Sequence, residues 1–153
     1  MDVFELQYVS DPQIAPNSEK TVYVRNQFDV MTDRKYTNLW IIDFSGENQM
    51  PLTSGKSGYR QPTWSPDGEK LAYVSAEEGS SQIFVRWMET GQTASITNLT
   101  TGSRNITWSP DGEHLAFNIS VPKKQESFGQ FPSPPKGAHW ASPGKVIEEV
   151  SYK

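Results

Sequence analysis

The chain has 153 residues, of which 35% are hydrophobic and 12% aromatic, enough for a packed β-rich core. Its formal net charge is −4 and no basic cluster exceeds Lys123-Lys124, which argues against a nucleic-acid-binding face. No apolar run approaches the roughly 18 residues of a membrane span, Met1 to Glu5 carries acid where a signal segment is basic, and the absence of Cys excludes disulfides while leaving the compartment open.

Residues 1–10 form a short lead-in whose Val3, Phe4, Leu6, Tyr8 and Val9 fit either one helical turn or an edge strand. Strands are then predicted near 13–15, 21–25, 39–44 and 49–53, and again near 62–64, 71–75, 82–87 and 95–97. The two sets correspond. Leu39-Trp40-Ile41 matches Ile83-Phe84-Val85, and the endings Leu52-Thr53 and Ile96-Thr97 match as well. The first set is six residues longer, and the surplus falls in the polar stretch 26–36, which is predicted to be a long surface loop.

The repeat is most explicit at its turns. Thr63-Trp64-Ser65-Pro66-Asp67-Gly68-Glu69 returns 44 residues later as Thr107-Trp108-Ser109-Pro110-Asp111-Gly112-Glu113. Proline presets φ for the first central position of a type I turn, and aspartate suits the second. Glycine then takes the left-handed conformation that closes a hairpin with a bulge, so Gly68 and Gly112 should have positive φ. Trp64 and Trp108 should be largely buried and equivalently placed. A degenerate copy lies at 12–24, where Ile14 replaces the tryptophan and Asn17-Ser18 replace Asp-Gly. After the second copy of the turn, Leu71 and Tyr73 alternate with Ala72 and Val74. Both faces of that strand are apolar, as in a sheet covered on both sides.

A third repeat begins at 106–108 and 115–120 and then breaks off. Residues 123–145 hold prolines at 132, 134, 135 and 143 and glycines at 129, 137 and 144, together with Phe128, Phe131 and Trp140. Proline cannot donate to a strand ladder, so this stretch is predicted to be an excursion. One further strand fits 146–152.

The expected fold is all-β: a partial β-propeller of about two and a half four-stranded antiparallel blades, with limits near 11–58, 59–102 and 103–153. A propeller ring closes with about 4–8 blades, so the chain is expected to be part of a longer protein. Its open end faces predict self-association.

The stretches Tyr8 to Ile14, Asn38 to Asp43 and Leu52 to Gly55, with the twin Trp-Ser-Pro-Asp-Gly turns, resemble the acylaminoacyl-peptidase-like branch of the prolyl oligopeptidase family of serine peptidases. The tail from Ala138 to Ile147 resembles an excursion that this branch carries. Two departures stand out: Asn17-Ser18 in the first turn, and a stop before any hydrolase domain. The resemblance implies an N-terminal propeller that caps a C-terminal α/β-hydrolase domain in the parent chain and admits short or N-acylated peptide substrates. TolB-like propellers share the turn, and they imply the alternative of a protein-interaction module.

The residues offer no chemistry of their own. The hydrolase nucleophile belongs in Gly-x-Ser-x-Gly, and no such pentapeptide is present. His114 and His139 are the two histidines, and both suit exposed structural positions better than catalytic or metal-binding ones. Gly55-Lys56-Ser57 imitates the end of a phosphate-binding loop, but Met50 stands where its first glycine belongs. Glu148-Glu149 resembles the amine-gripping acidic pair of dipeptidyl peptidases without its context. Asn98, Asn105 and Asn118 head glycosylation triplets that chance explains. No catalytic, cofactor-binding or metal-binding residue is therefore expected. The residues that matter are those of the structural repeat: Trp64, Ser65, Pro66, Asp67 and Gly68, with Trp108, Ser109, Pro110, Asp111 and Gly112.

Overall fold

The computed structural model describes residues 6–76, 80–121 and 135–138, and every regular element among them is a β-strand. The strands are β1 (Tyr8–Ile14), β2 (Lys20–Asp29), β3 (Arg34–Asp43), β4 (Met50–Pro51), β5 (Arg60–Trp64), β6 (Lys70–Ser75), β7 (Gln82–Trp87), β8 (Thr93–Ser95), β9 (Ser103–Trp108) and β10 (Leu115–Ile119). They form three antiparallel sheets in simple meander order: β1-β2-β3-β4, β5-β6-β7-β8 and β9-β10. Two four-stranded blades and two strands of a third make this a partial β-propeller. The chain divides into a unit spanning 1–121, which holds all ten strands, and a second spanning 122–153. In the second, residues 135–138 make a turn in which the Ala138 N–H donates to the Pro135 carbonyl at 2.9 Å. Phe128, Phe131, His139, Trp140, Glu148-Glu149 and the strand expected at 146–152 lie outside the described residues.

The core consists of two layers, one on each side of the second sheet. Val22, Val24, Leu39 and Ile41 of the first sheet pack against Tyr59, Leu71, Tyr73 and Phe84. Ala72, Val74, Ile83 and Val85 pack against Ile106, with Trp108, Leu115 and Phe117 at the margin. β6 therefore serves both layers, Leu71 and Tyr73 facing one sheet and Ala72 and Val74 the other. A run apolar on both faces fits this placement, because a strand with a sheet packed on each side buries both. Tyr73 and Phe84 stack with ring centroids 5.7 Å apart.

The matched endings have a shared cause. After β4, the Leu52 N–H donates to the Leu39 carbonyl at 2.8 Å, and the Thr53 hydroxyl accepts the Leu39 N–H at 2.9 Å. After β8, Ile96 and Thr97 do the same to Ile83, each at 2.9 Å. The threonine hydroxyl stands in for a backbone carbonyl, so the edge strand can end without orphaning a buried N–H.

One expectation is corrected and one open alternative is settled. Residues 26–36 are not a loop: β2 and β3 stay paired from Lys20–Asp43 out to Asp29–Arg34. Lengthening an antiparallel pair gives the backbone groups that face the partner strand a hydrogen bond, whereas a loop orders residues without that return. The turn at the tip is held by the Asp29 carboxylate, which accepts the Met31 N–H at 3.0 Å, and Asp33 has φ +49°. The lead-in resolves as an edge strand from Tyr8 onward, paired to β2.

Candidate functional site

The repeat turns form an interlocked row. In the second sheet, the Gly68 N–H donates to the Ser65 carbonyl and the Ser65 N–H to the Lys70 carbonyl, both at 2.9 Å. The Ser65 hydroxyl donates to Asp67 Oδ1 and accepts the Lys70 N–H at 2.9 Å. Asp67 Oδ1 also accepts the Glu69 N–H at 2.9 Å. In the third sheet, Ser109, Asp111, Gly112, Glu113 and His114 repeat every one of these bonds. Gly68 and Gly112 have φ of +75° and +72°. The degenerate first turn keeps the backbone closure, with the Ser18 N–H donating to the Ala15 carbonyl at 2.8 Å. Asn17 Oδ1 there accepts the Glu19 N–H at 3.1 Å, and Ser18 takes the glycine position at φ +58°.

The hydrogen bonds lower two pKa values. The Ser65 hydroxyl and then the Glu69 N–H hold the Asp67 carboxyl below its ordinary 3.8. The Ser109 hydroxyl and the Glu113 N–H do the same for Asp111. Both donors favour the charged form.

Trp64 and Trp108 are equivalently placed but half-buried, short of the expected burial. The indole explains this: a buried Nε1–H needs an acceptor, and each ring leans back to one on the preceding sheet. Trp64 Nε1 donates to the Gln13 carbonyl and Trp108 Nε1 to the Thr63 carbonyl, both at 3.1 Å. The position of the tryptophan is legible in the sequence, but the acceptor is not. A second feature also escapes sequence reasoning. Asp11, Gln61 and Asn105 sit at the same repeat position, each with φ between 51° and 54°, where the register of β1, β5 and β9 slips. Proline follows the first two but isoleucine follows the third, so the bulge belongs to the repeat and not to proline.

Ser109, Asp111 and His114 invite comparison with a catalytic triad, and the geometry rejects it. The serine proton goes to the aspartate, while His114 Nδ1 lies 3.9 Å from Asp111 Oδ1 on an exposed surface. A triad needs the histidine between the two. In the second sheet Lys70 replaces this histidine in the same bonds, so the arrangement is a turn. Asp111, Glu113 and His114 could also bring three ligand atoms to one ion, but all three are exposed and Lys70 again breaks the pattern. Lys56 of the Gly55-Lys56-Ser57 stretch lies over the Tyr36 ring and 3.4 Å from Asp29 Oδ2.

The chain belongs to the TolB beta propeller domain family, which matches residues 11–128. The uncharacterized peptidase YuxL of Bacillus subtilis is 32% identical over 99 residues, 64% of this chain and 15% of its own length. The Tol-Pal system protein TolB of Nitrosococcus oceani is 38% identical over 66 residues, 43% of this chain and 15% of its own. The acylaminoacyl peptidase of Pyrococcus horikoshii shares the fold, with a TM-score of 0.61 at 20% identity over 73% of this chain and 17% of that one. The chain thus spans about 15% of the length of these curated relatives. It is a propeller domain related to those of peptidases and of TolB.

Proposed function

We propose that this chain is propeller sequence of an acylaminoacyl-peptidase-like serine peptidase, with blades near 11–58, 59–102 and 103–153. Its role is to cap the hydrolase domain of the parent protein and restrict entry to short or N-acylated peptides. The observation that carries this reading is the 32% identity to a peptidase over 99 residues, a longer match than the 66 and 81 residues shared with two TolB proteins. The geometry of the turns agrees with it. The hydroxyls of Ser65 and Ser109 and the carboxylates of Asp67 and Asp111 are committed to holding the turns, and on this reading the nucleophile and oxyanion hole belong to the hydrolase domain of the parent protein.

The test is release of a chromogenic leaving group from an acylated amino acid or short peptide. The isolated chain should be inert. The parent protein should be active, and a serine-directed phosphonate should abolish its activity. The TolB match supports a second reading, a propeller that docks a protein partner. A parent that hydrolyses nothing and captures one specific protein would favour that reading.

A further inference from the structure

The sheets meet along their first strands: β1 touches β5, and β5 touches β9. Each of these strands is hydrogen-bonded to its sheet along one edge only. The first strands therefore stand nearest the axis about which the sheets follow one another, which is the channel of a propeller. Most of the repeated residues here hold a strand or a turn, as the tryptophans, serines and aspartates do. Arg60 and Arg104 do not. They stand four residues before Trp64 and Trp108, each directly ahead of a bulge residue with positive φ. Their cross-strand neighbours, Val74 and Asn118, are equivalent too. Both arginines are exposed. Arg60 Nη2 donates to the Ser81 hydroxyl at 2.8 Å, a neutral acceptor that steadies the side chain and leaves its charge uncompensated. Among the described residues, Arg104 makes no side-chain hydrogen bond and neither arginine is in an ion pair. The bulge itself does not require arginine. In the first strand Ser10 holds this position ahead of Asp11, and its hydroxyl accepts the Asn26 amide at 2.9 Å.

Resting on the reading that the propeller admits N-acylated peptides, we propose that Arg60 and Arg104 form a carboxylate-binding site beside the channel, which takes the free C-terminus of an incoming peptide. The chemistry of such a substrate selects this ligand. Acylation removes the ammonium group, so the C-terminal carboxylate is the one backbone charge that the peptide keeps. A guanidinium offers a carboxylate two parallel N–H donors, and its charge persists at every working pH. The neighbours suit the task, because the bulge residues Gln61 and Asn105 place amides and not carboxylates next to the two arginines in the chain. The chain as a whole carries a net charge of −4, so the attraction is local to these strands.

The probes are N-acetyl-tetraalanine with a free C-terminus, the same peptide amidated, and an amidated N-acetyl peptide with one internal glutamate. Binding to the full chain is followed through the arginine Nε–H resonances in an NMR titration. The free acid should bind roughly fivefold or more tightly than the amide, shift the resonances of Arg60 and Arg104, and weaken as salt rises. The Arg60→Gln, Arg104→Gln double variant should bind acid and amide alike. Arg34→Gln, which removes an exposed arginine near the tip of the β2–β3 hairpin, should leave the preference intact. All three side chains are exposed, so the melting temperature of each variant should stay that of the unmodified chain. The proposal is overturned if neither alanine peptide binds at millimolar concentration, if acid and amide bind equally, or if the double variant keeps the preference. It is equally overturned if Arg34→Gln removes the preference, or if the internal glutamate serves as well as the terminus. No step of this test involves hydrolysis. A parent protein that cleaves acylated peptides, with a chain that treats acid and amide alike, would remove the site and leave the peptidase reading standing. Selective binding beside an inert parent would do the reverse.

Discussion

Asp67 and Asp111 each gather a serine hydroxyl and a backbone N–H onto one carboxylate oxygen. Their folded pKa values lie below the ordinary 3.8. A carboxyl depressed by folding contributes stability that is fully present above its unfolded value and is lost as pH falls through the folded one. Acid should therefore weaken the fold as pH drops below 3.8. Asn17 shows the uncharged alternative, since its side-chain oxygen accepts the equivalent N–H. The Asp67→Asn, Asp111→Asn double variant should accordingly show a flatter fall of melting temperature as pH is lowered through the carboxylate range. An unchanged acid limb would refute the role given to these two groups. Ser18 offers a complementary test. It occupies a left-handed conformation that costs a residue with a Cβ about 1–2 kcal/mol, so Ser18→Gly should raise stability by up to about 1 kcal/mol in chemical denaturation. Trp108→Ala loses a half-buried ring and its hydrogen bond, and should cost about 2–4 kcal/mol. Pro66→Ala mainly frees the unfolded chain and should cost about 1 kcal/mol or less. Reversal of that order would contradict the inter-sheet contact made by the tryptophan.

Among the elements, β6 is the centre of the core. All its residues except Lys70 are buried, and its two faces serve different layers. Its amides, with those of β7, should be the slowest to exchange with deuterium. Those of β4 and β8, which are short edges with exposed residues, should be among the fastest. Equal protection across a four-strand sheet would contradict this ordering. β6 was legible in the sequence because period-two alternation with apolar residues on both faces has one structural solution. The β2–β3 hairpin was not, because polar composition at 26–36 resembles a loop and only pairing register distinguishes the two. The bulges at Asp11, Gln61 and Asn105 share a conformation without sharing a residue type, so no motif announces them. The turns at 65–68 and 109–112 were legible, since proline fixes φ at one position and glycine readily admits the positive φ needed at another. Where the tryptophans point depends on a partner about 50 residues away in the chain, which local pattern cannot supply.

At the scale of the molecule, the three sheets among the described residues follow one another with the same tryptophan contact repeated between their first strands, and that regularity makes the assembly a partial propeller. Its working role is proposed from the peptidase relative and from turns whose serine and aspartate side chains are committed to the turn itself. On that account the blades act by exclusion. Their presence should change which substrates reach a serine located elsewhere, and leave the bond-breaking step to that site. The direct measurement compares kcat/KM for a short acylated peptide and for a long or folded polypeptide, in the parent protein with and without residues 1–153. Retention of fold is checked by the binding of a serine-directed phosphonate. The account predicts that removal raises cleavage of the long substrate relative to the short one by at least tenfold. An unchanged ratio, in a truncated protein that still binds the phosphonate, would contradict it.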